Sequence, residues 1–221
     1  MKELNYTVSE ENYIKAIYHL EQQHETVTTN ELAQELQTRA ASVTDMLKKL
    51  KAKKLLNYER YKGFRLTPDG RKIAIGIIRR HRLWEYFLVE KLQFTWDEVH
   101  EVAEELEHVI STKLINRLDD YLGNPKVDPH GDPIPDRDGN IESTCQLSLL
   151  DLPLNVSAEL CNVGDQSSAM LELLTHKKIR IGTKLEVKRR FSFDNSLEVQ
   201  INRQPCFTLS EQVARNLFVR I

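Results

Sequence analysis

Apolar residues along the first part of the chain recur three or four positions apart, the spacing that gives a helix one buried face. Three such stripes follow one another: "ENYIKAIYHL", "NELAQELQ" and "RAASVTDMLKKLKAKK". Thr7 with Glu10, and Thr28 with Glu31, have the Thr-x-x-Glu spacing of a capping box at a helix N-terminus. The pattern therefore predicts three consecutive helices, of which the second is short.

After the third stripe the period of the apolar positions changes to two. The stretch "LLNYERYKGFRLT" alternates apolar and polar residues around Tyr61-Lys62-Gly63, which is typical of a β-hairpin with a tight glycine turn. Thr67-Pro68 then opens a fourth helix from near Asp69 to about Leu92, with proline in its first position. Three helices followed by a hairpin indicate a winged helix-turn-helix, whose third helix enters the major groove of DNA.

The third helix and the hairpin carry side chains suited to DNA. Arginine can bind guanine through two hydrogen bonds, and an alanine methyl can meet the methyl of thymine. Lysine and arginine that contact phosphates position a protein without specifying sequence. The predicted base readers are Arg39, Ala41, Ser42, Thr44 and Asp45. The predicted phosphate contacts are Lys48, Lys49, Arg60, Lys62 and Arg65, for which a merely solvated basic face is the alternative.

Histidine and glutamate are concentrated in "VHEVAEELEHV" at residues 99–109. Positions three and four apart lie side by side on a helix. One predicted stripe therefore contains His100, Glu104, Glu107 and His108. His81 and Glu85 form a second pair, one turn apart on the fourth helix, and imidazole with carboxylate suits Mn, Fe, Co, Ni or Zn. Two such stripes predict one or two metal sites; a solvated acidic face with incidental histidines is the alternative.

The composition describes a globular protein, with 40% hydrophobic and 29% charged residues in 221. No apolar run approaches the ~18 residues of a membrane span, and the N-terminus lacks the apolar core of a signal peptide, so we expect a cytoplasmic protein without a membrane partner. Three widely spaced cysteines indicate neither a disulfide framework nor a Cys-x-x-Cys metal knuckle. Nucleophile elbows, P-loops and dinucleotide fingerprints are also missing from the sequence.

Charge is distributed unevenly along the chain, although the net charge is only −2. Residues 1–80 contain 15 lysines and arginines against 10 aspartates and glutamates, whereas residues 81–150 contain 6 against 15. A basic segment followed by an acidic one favours a polyanion partner for the first and a cation partner for the second.

The chain resembles the diphtheria-toxin-repressor family of metal-dependent transcriptional regulators, including its manganese-responsive branch. The matching stretches, in the expected order, are "ENYIKAIY", "SVTDMLKKL", "GFRLTPDGR", "RRHRLWEYFL", "VHEVAEELEHVIS" and "PHGDPIP". Residues 151–221 resemble the family's C-terminal domain through "KIRIGTKLEV", "SLEVQI" and "TLSEQVARNLFV". The resemblance implies a mainly α protein with a small β domain. Its expected parts are a winged helix-turn-helix at 1–73, a helical metal-binding and dimerisation domain at 74–142, and an SH3-like β-barrel at 143–221.

The resemblance also implies two metal sites. The ancillary site matches His81, Glu85 and His100, with Asp165 and Gln166 as the nearest matches for a ligand from the third domain. The primary site matches Glu104, Glu107, His108 and a ligand from the first helix, where family members carry Met or Asp and this chain has Asn12. Relative to Asp, an amide oxygen there removes one negative charge from the site; Glu10 or Glu11 would then substitute as the ligand, or a water would fill the position.

Glu104 bears on the choice of metal. The iron-responsive branch of the family typically carries cysteine there, and a hard carboxylate favours Mn²⁺, with Fe²⁺ as the alternative. The Irving–Williams order still allows Zn²⁺, Co²⁺ or Ni²⁺ to bind in vitro.

The predicted function is a metal-dependent repressor of metal-uptake genes. Metal bound between helices is expected to lock a homodimer in the form that binds double-stranded operator DNA. One alternative is a winged-helix regulator without metal gating. The other is a di-metal carboxylate oxidoreductase, which would use Glu-x-x-His motifs such as Glu105-x-x-His108 but leaves the winged helix unexplained.

Two features of the middle segment remain open at this stage. In "LINRLDDYL" the apolar residues form either a dimer surface or core: Leu114, Ile115, Leu118 and Leu122. His130 lies in a Pro-, Gly- and Asp-rich stretch that is expected to be an ordered linker. A single loop histidine is usually incidental, and His130 is not predicted to bind metal.

Overall fold

The computed structural model describes residues 6–23, 26–59, 63–142, 145, 147–202 and 204–221. It confirms the predicted class, a helical N-terminal part followed by an antiparallel sheet. The chain forms two compact units, each built from separate stretches of sequence. The first unit contains residues 1–81, 106–112 and 135–140, and the second contains 82–105, 113–134 and 141–221.

The first unit begins with the three predicted helices: α1 (Val8–Gln23), α2 (Thr29–Glu35) and α3 (Ala40–Ala52). Both capping boxes are present. The backbone N–H of Thr7 donates to Glu10 Oε2 at 3.0 Å, and the N–H of Glu10 donates to Thr7 Oγ1 at 3.2 Å. Thr28 and Glu31 form the same reciprocal pair. A side-chain cap contributes about 1 kcal/mol, so the sequence signal reflects a real local preference.

The predicted hairpin pairs strand β1 (Leu56–Glu59) with strand β2 (Gly63–Leu66), with Leu56 opposite Leu66. Gly63 has a φ of +78°, and a Cβ there would lie 2.3 Å from the carbonyl oxygen of Val27, so both the backbone and the space require glycine. Arg60 and Lys62, which were predicted to contact phosphates, lie outside the described residues. The buried side chains under these elements include Ile14, Ile17, Leu32, Val43, Leu50, Phe64 and Ile78.

Helix α4 (Pro68–Leu92) starts in the first unit and continues into the second. Helices α5 (Val99–Leu106) and α6 (Thr112–Tyr121) follow. The prediction that one helical stripe continues through Val109 was wrong: α5 ends at Leu106, and Val109 N–H bonds to the Leu106 carbonyl three residues back. Glu107 and His108 therefore lie in the turn after the helix.

The apolar residues of α6 were predicted to form either a dimer surface or core, and most of them pack into a small core in the second unit. Ile115 and Leu118 are buried against Leu83 and Ile134, and Leu122 packs partly buried beside them. Leu114 is 42% exposed. Three of the four apolar positions are therefore core residues, and Leu114 is a surface residue of this chain.

The rest of the second unit is a six-stranded antiparallel sheet in the order β3-β8-β4-β5-β6-β7. The strands are β3 (Leu147–Ser148), β4 (Ser157–Val163), β5 (Lys184–Arg190), β6 (Leu197–Ile201), β7 (Phe207–Leu209) and β8 (Leu217–Arg220), with helices α7 (Ser168–His176) and α8 (Glu211–Arg215). Strand β6 buries every second residue, which is the predicted alternation.

Cysteine pairing differs from the sequence expectation. Cys145 and Cys161 form a disulfide with Cα atoms 6.2 Å apart, and Cys206 is free and exposed. The expectation of no disulfide was wrong because the fold, and not the spacing of 16 residues, brings the segment at Cys145 beside strand β4. Among the described residues, no helix combines the length and the apolar character needed to cross a bilayer.

Candidate metal centres and DNA interface

Side chains from α1, α4 and the turn after α5 meet inside the first unit. We name this set the Glu107 cluster; it consists of Glu11, Lys15, Arg80, His81, Glu107 and His108. Glu11 Oε2 lies 2.6 Å from His108 Nδ1, and Glu107 Oε2 lies 2.6 Å from His81 Nδ1. Both carboxylates are buried. Imidazole nitrogen and carboxylate oxygen are thus adjacent at two places.

Two basic side chains balance the charge of these carboxylates. Lys15 Nζ donates to both oxygens of Glu107, at 2.7 and 2.9 Å, and Arg80 donates to Glu11 Oε1 at 2.8 Å and to the backbone carbonyl of Glu107. Burial raises the pKa of Glu107, but the hydrogen bond from His81 and the charge of Lys15 outweigh it, so the pKa lies below its ordinary value. Glu107 is therefore ionised and held by the protein's own cations.

The side-chain oxygen of Asn12 has no hydrogen-bond donor among the described residues. This atom, Oδ1, is buried. An unsatisfied buried acceptor is unfavourable by about 1–3 kcal/mol. Asn12 is next to Glu11 on α1, and carboxylate, amide oxygen and imidazole together are donors that a divalent cation such as Mn²⁺ accepts. The residues present therefore fit a metal ion.

Glu85, His100 and Glu104 form a second His/Glu set in the second unit. His100 Nδ1 lies 3.2 Å from Glu85 Oε1, and His100 Nε2 lies 3.5 Å from Glu104 Oε1. The hydrogen bond to Glu104, followed by the one to Glu85, raises the pKa of His100 to about 9. His81 precedes Glu85 by one helical turn on α4, whereas Glu104 is half exposed beside His100. The assignment of Glu104 to the primary site stays a prediction.

Asp165 and Gln166 have other partners in the second unit. Asp165 Oδ1 accepts the backbone N–H of Ser167 at 3.0 Å, immediately before α7. Gln166 Nε2 donates to Asp132 Oδ2 at 3.0 Å. The contact with Asp132 places Gln166 beside the loop at residues 128–132. The role of Asp165 and Gln166 as metal ligands stays a prediction.

Three residues of these ionisable clusters were not predicted from the sequence: Lys15, Arg80 and Asp128. Lys15 lies one turn after Glu11 on α1, which was the available signal for a cation in this cluster. Glu85, Asp128 and His130 each place a ligand atom within 4.8 Å of the others, and all three are buried. The signal for that group was the histidine between two aspartates in "DPHGD".

The predicted DNA-reading face of α3 is accessible. Val43 and Leu50 are buried, while every predicted reader from Arg39 to Asp45 is exposed, as are Lys48, Lys49 and Arg65. The Thr44 hydroxyl donates to the Ala40 carbonyl at 2.9 Å, and Lys48 pairs with Asp45 at 3.1 Å. Thr44 and Lys48 therefore already have partners within α3.

Three family models match successive parts of the chain. The model described as iron dependent repressor, N-terminal DNA binding domain, matches residues 5–64. The model described as iron dependent repressor, metal binding and dimerisation domain, matches residues 67–136. A FeoA domain model matches residues 147–221.

Individual proteins agree with these models. The iron-dependent repressor IdeR of Mycobacterium leprae is 35% identical over 125 residues, covering 57% of this chain and 54% of IdeR, so the match spans about half of that relative. The HTH-type transcriptional regulator MntR of Oceanobacillus iheyensis is 35% identical over 122 residues, covering 55% of this chain and 82% of MntR. A solved manganese-dependent transcriptional repressor in complex with manganese is 31% identical with a TM-score of 0.84, covering 95% of this chain and 98% of that one.

Proposed function

Because the chain belongs to the diphtheria-toxin-repressor family of metal-dependent transcriptional repressors, we propose that it is a metal-gated repressor and not an enzyme. Residues 1–73 would bind operator DNA, 74–142 would bind metal and form a homodimer, and 143–221 would form the accessory domain. A protein that acts on chromosomal DNA is expected in the cytoplasm. The observation that carries the proposal is the two buried carboxylate–imidazole contacts of the Glu107 cluster, Glu11 with His108 and Glu107 with His81, at 2.6 Å each.

The activating ion would be Mn²⁺, with Fe²⁺ as the alternative. Glu107, His108 and the Asn12 oxygen would hold it, with Glu11 supplying the carboxylate that Asn12 lacks. Hard oxygen donors with imidazole favour Mn²⁺ over ions that prefer thiolate. Of the residues predicted for the ancillary site, Glu85 and His100 are in contact within the second unit, which supports their role as ligands there.

The charges of Lys15 and Arg80 give a physical reason why DNA binding would depend on a metal ion at the Glu107 cluster. Without an ion, they supply the positive charge that the carboxylates of Glu107 and Glu11 require. When bound, a divalent cation supplies that charge instead. Lys15 lies on α1, whose other residues share the apolar core with α3, so a change of partner at Glu107 is transmitted to the DNA-reading helix through direct packing. Such coupling is typically about 1–3 kcal/mol, or roughly 5–150-fold in affinity.

The proposal is tested by DNA binding at fixed salt with Mn²⁺, anaerobic Fe²⁺, Zn²⁺ or Co²⁺ as the titrant. Duplexes selected from a random pool in the presence of Mn²⁺ serve as the operator probe. We expect affinity for selected duplexes to rise roughly 5–150-fold with Mn²⁺ or Fe²⁺ and to return to its starting value with chelator. Tight binding that is indifferent to every metal and to chelator would instead identify a winged-helix regulator without metal gating.

A further inference from the structure

Cys145 and Cys161 form a disulfide within the second unit, and the sheet keeps the third cysteine away from it. Their Cα atoms are 6.2 Å apart, inside the usual range for a disulfide. Cys206 directly precedes β7, and strands β5 and β6 lie between β7 and β4, which carries Cys161. Three strand spacings amount to roughly 14 Å along the sheet, too far for a sulfur–sulfur bond. The pair can therefore open and close without Cys206.

Cys161 occupies a β-bulge in strand β4. In the pairing of β4 with β8, Leu160 lies opposite Val219, and the next paired residue, Asn162, lies opposite Phe218. Cys161 between them is therefore the additional residue of the bulge. It is buried, and its Sγ atom lies 3.4 Å from the Phe218 carbonyl oxygen, close enough for the weak hydrogen bond that a thiol donates. A reduced Cys161 thus has an acceptor in the same fold.

The β domain has a full apolar core apart from the disulfide. Its sheet and helices bury a continuous cluster, in which Leu160, Leu174 and Val187 are fully buried. Disulfides that serve as permanent crosslinks are characteristic of small secreted domains with too little core. Cys145 is also partly exposed, which gives a dissolved thiol access to the bond. The position of the pair therefore suits a reversible bond better than a permanent crosslink.

We propose that Cys145 and Cys161 are a redox site, a disulfide that a hydroperoxide closes and a thiol reductant such as glutathione opens while the domain stays folded. Reversal in the cell rests on the proposed function, because a protein that acts on chromosomal DNA works where thiols are kept reduced. Disulfides that form under those conditions are usually transient and redox-sensing. The bond then reports oxidising conditions in a protein that otherwise responds to metal.

The closing reaction balances with a hydroperoxide as the two-electron oxidant. The thiolate of Cys145, the more exposed cysteine of the pair, attacks the terminal peroxide oxygen; an S–O bond forms, the O–O bond breaks, and an alcohol, or water in the case of hydrogen peroxide, leaves with the thiol proton. The Cys161 sulfur then attacks the sulfenic acid at Cys145; the S–S bond forms, the S–O bond breaks, and water leaves with the second proton. Two thiols are oxidised and one hydroperoxide is reduced.

The opening reaction is thiol–disulfide exchange with two reductant thiols. The first attacks the Cys145 sulfur, forms a mixed disulfide there and releases Cys161 as a thiol. The second attacks the mixed disulfide and releases Cys145, so that the reductant leaves as its own disulfide and both cysteines regain their protons.

The test counts free thiols in the folded full-length chain. The protein is equilibrated in glutathione buffers from mainly reduced to mainly oxidised, quenched with acid, unfolded, alkylated and weighed by mass spectrometry. Because the chain has three cysteines, we expect three alkylated thiols at the reducing end and one at the oxidising end. Hydrogen peroxide added to the reduced protein should also lower the count from three to one.

Cys206→Ser is the matched control, because it removes the exposed cysteine and keeps the pair. Its counts should be two at the reducing end and zero at the oxidising end. Cleavage after Glu142 and Glu159 places Cys145 and Cys161 on separate peptides, which should stay joined only in the oxidised protein. In Cys145→Ser no bond within the chain should form under the same conditions.

A count that stays at three after peroxide, or a bond that joins Cys206, overturns the proposal. So does a bond that stays closed in reduced glutathione, or whose opening unfolds the domain by circular dichroism, since the disulfide is then a permanent crosslink. None of these measurements involves metal or DNA. Reversible closure in a protein without metal-dependent DNA binding overturns the repressor proposal alone, and failure to open or close in a metal-gated repressor overturns the redox proposal alone.

Discussion

The Glu107 cluster and the 128–132 loop both bury carboxylates, but different cations balance them. Lys15 and Arg80 bond directly to the carboxylates of Glu107 and Glu11, at 2.7 and 2.8 Å. In the second unit Arg82 bonds to Asp132 and remains 3.6 Å from Asp128, and the buried Nδ1 of His130 has no hydrogen-bond partner among the described residues. A cation at the Glu107 cluster would therefore compete with cationic side chains of the protein, whereas Asp128 in the loop is held mainly by backbone N–H groups.

This difference suits the two positions to different roles. Competition with Lys15 would lower the net affinity of the proposed site at the Glu107 cluster for metal, so its occupancy would follow the ion concentration, as a sensor requires. The backbone hydrogen bonds to Asp128 and the contact of Arg82 with Asp132 instead fix the conformation of the 128–132 loop.

His108→Ala should abolish metal-dependent DNA binding, because it removes the imidazole that contacts Glu11 at 2.6 Å. We expect the full metal response, roughly 5–150-fold, to disappear from the binding curve. His176→Ala, at an exposed position, is the control. An unchanged metal response in His108→Ala would remove this residue from the primary site.

Lys15→Met should act in the opposite direction at the same cluster. The ammonium group no longer competes for Glu107, so Mn²⁺ should bind more tightly than to the wild type. The metal-free protein should be less stable, since leaving a buried charge without its partner can cost about 3–5 kcal/mol. Thermal unfolding with and without Mn²⁺ measures both effects as a lower Tm without metal and a larger rise on adding it. A smaller metal-induced rise in Tm would show that Lys15 does not compete with the ion.

The variants Arg39→Ala and Lys49→Ala should bind as many Mn²⁺ ions per chain as the wild type. They should change DNA binding in different ways. Loss of Arg39, a predicted base reader, should reduce discrimination at one base pair by about 1–3 kcal/mol. Loss of Lys49, a predicted phosphate contact, should weaken all duplexes alike and reduce the slope of log affinity against log salt by about 0.9. Binding measured on matched duplexes across a salt series separates the two. Identical behaviour of the two variants would contradict the division into readers and phosphate contacts.

The local elements of this protein could be predicted from the sequence alone. The capping boxes at Thr7 and Thr28 and the alternation of β6 depend on neighbours a few residues away, so their spacing is visible in the sequence. The histidines and glutamates of α4 and α5 also gave a usable signal. The pattern failed at the end of α5, because its helical period continues for a few residues beyond the last helical hydrogen bond.

Which charged side chains pair with one another follows from the tertiary fold and not from the local sequence. Lys15 pairs with Glu107 across 92 residues, His130 approaches Glu85 from a loop, and Cys145 reaches Cys161. None of these pairs follows from a short spacing. Whether a histidine is incidental or a ligand depends on burial and on the partner of its second nitrogen. These properties arise only when distant segments pack together, which is why the sequence identified a metal-binding protein but left His130 unassigned.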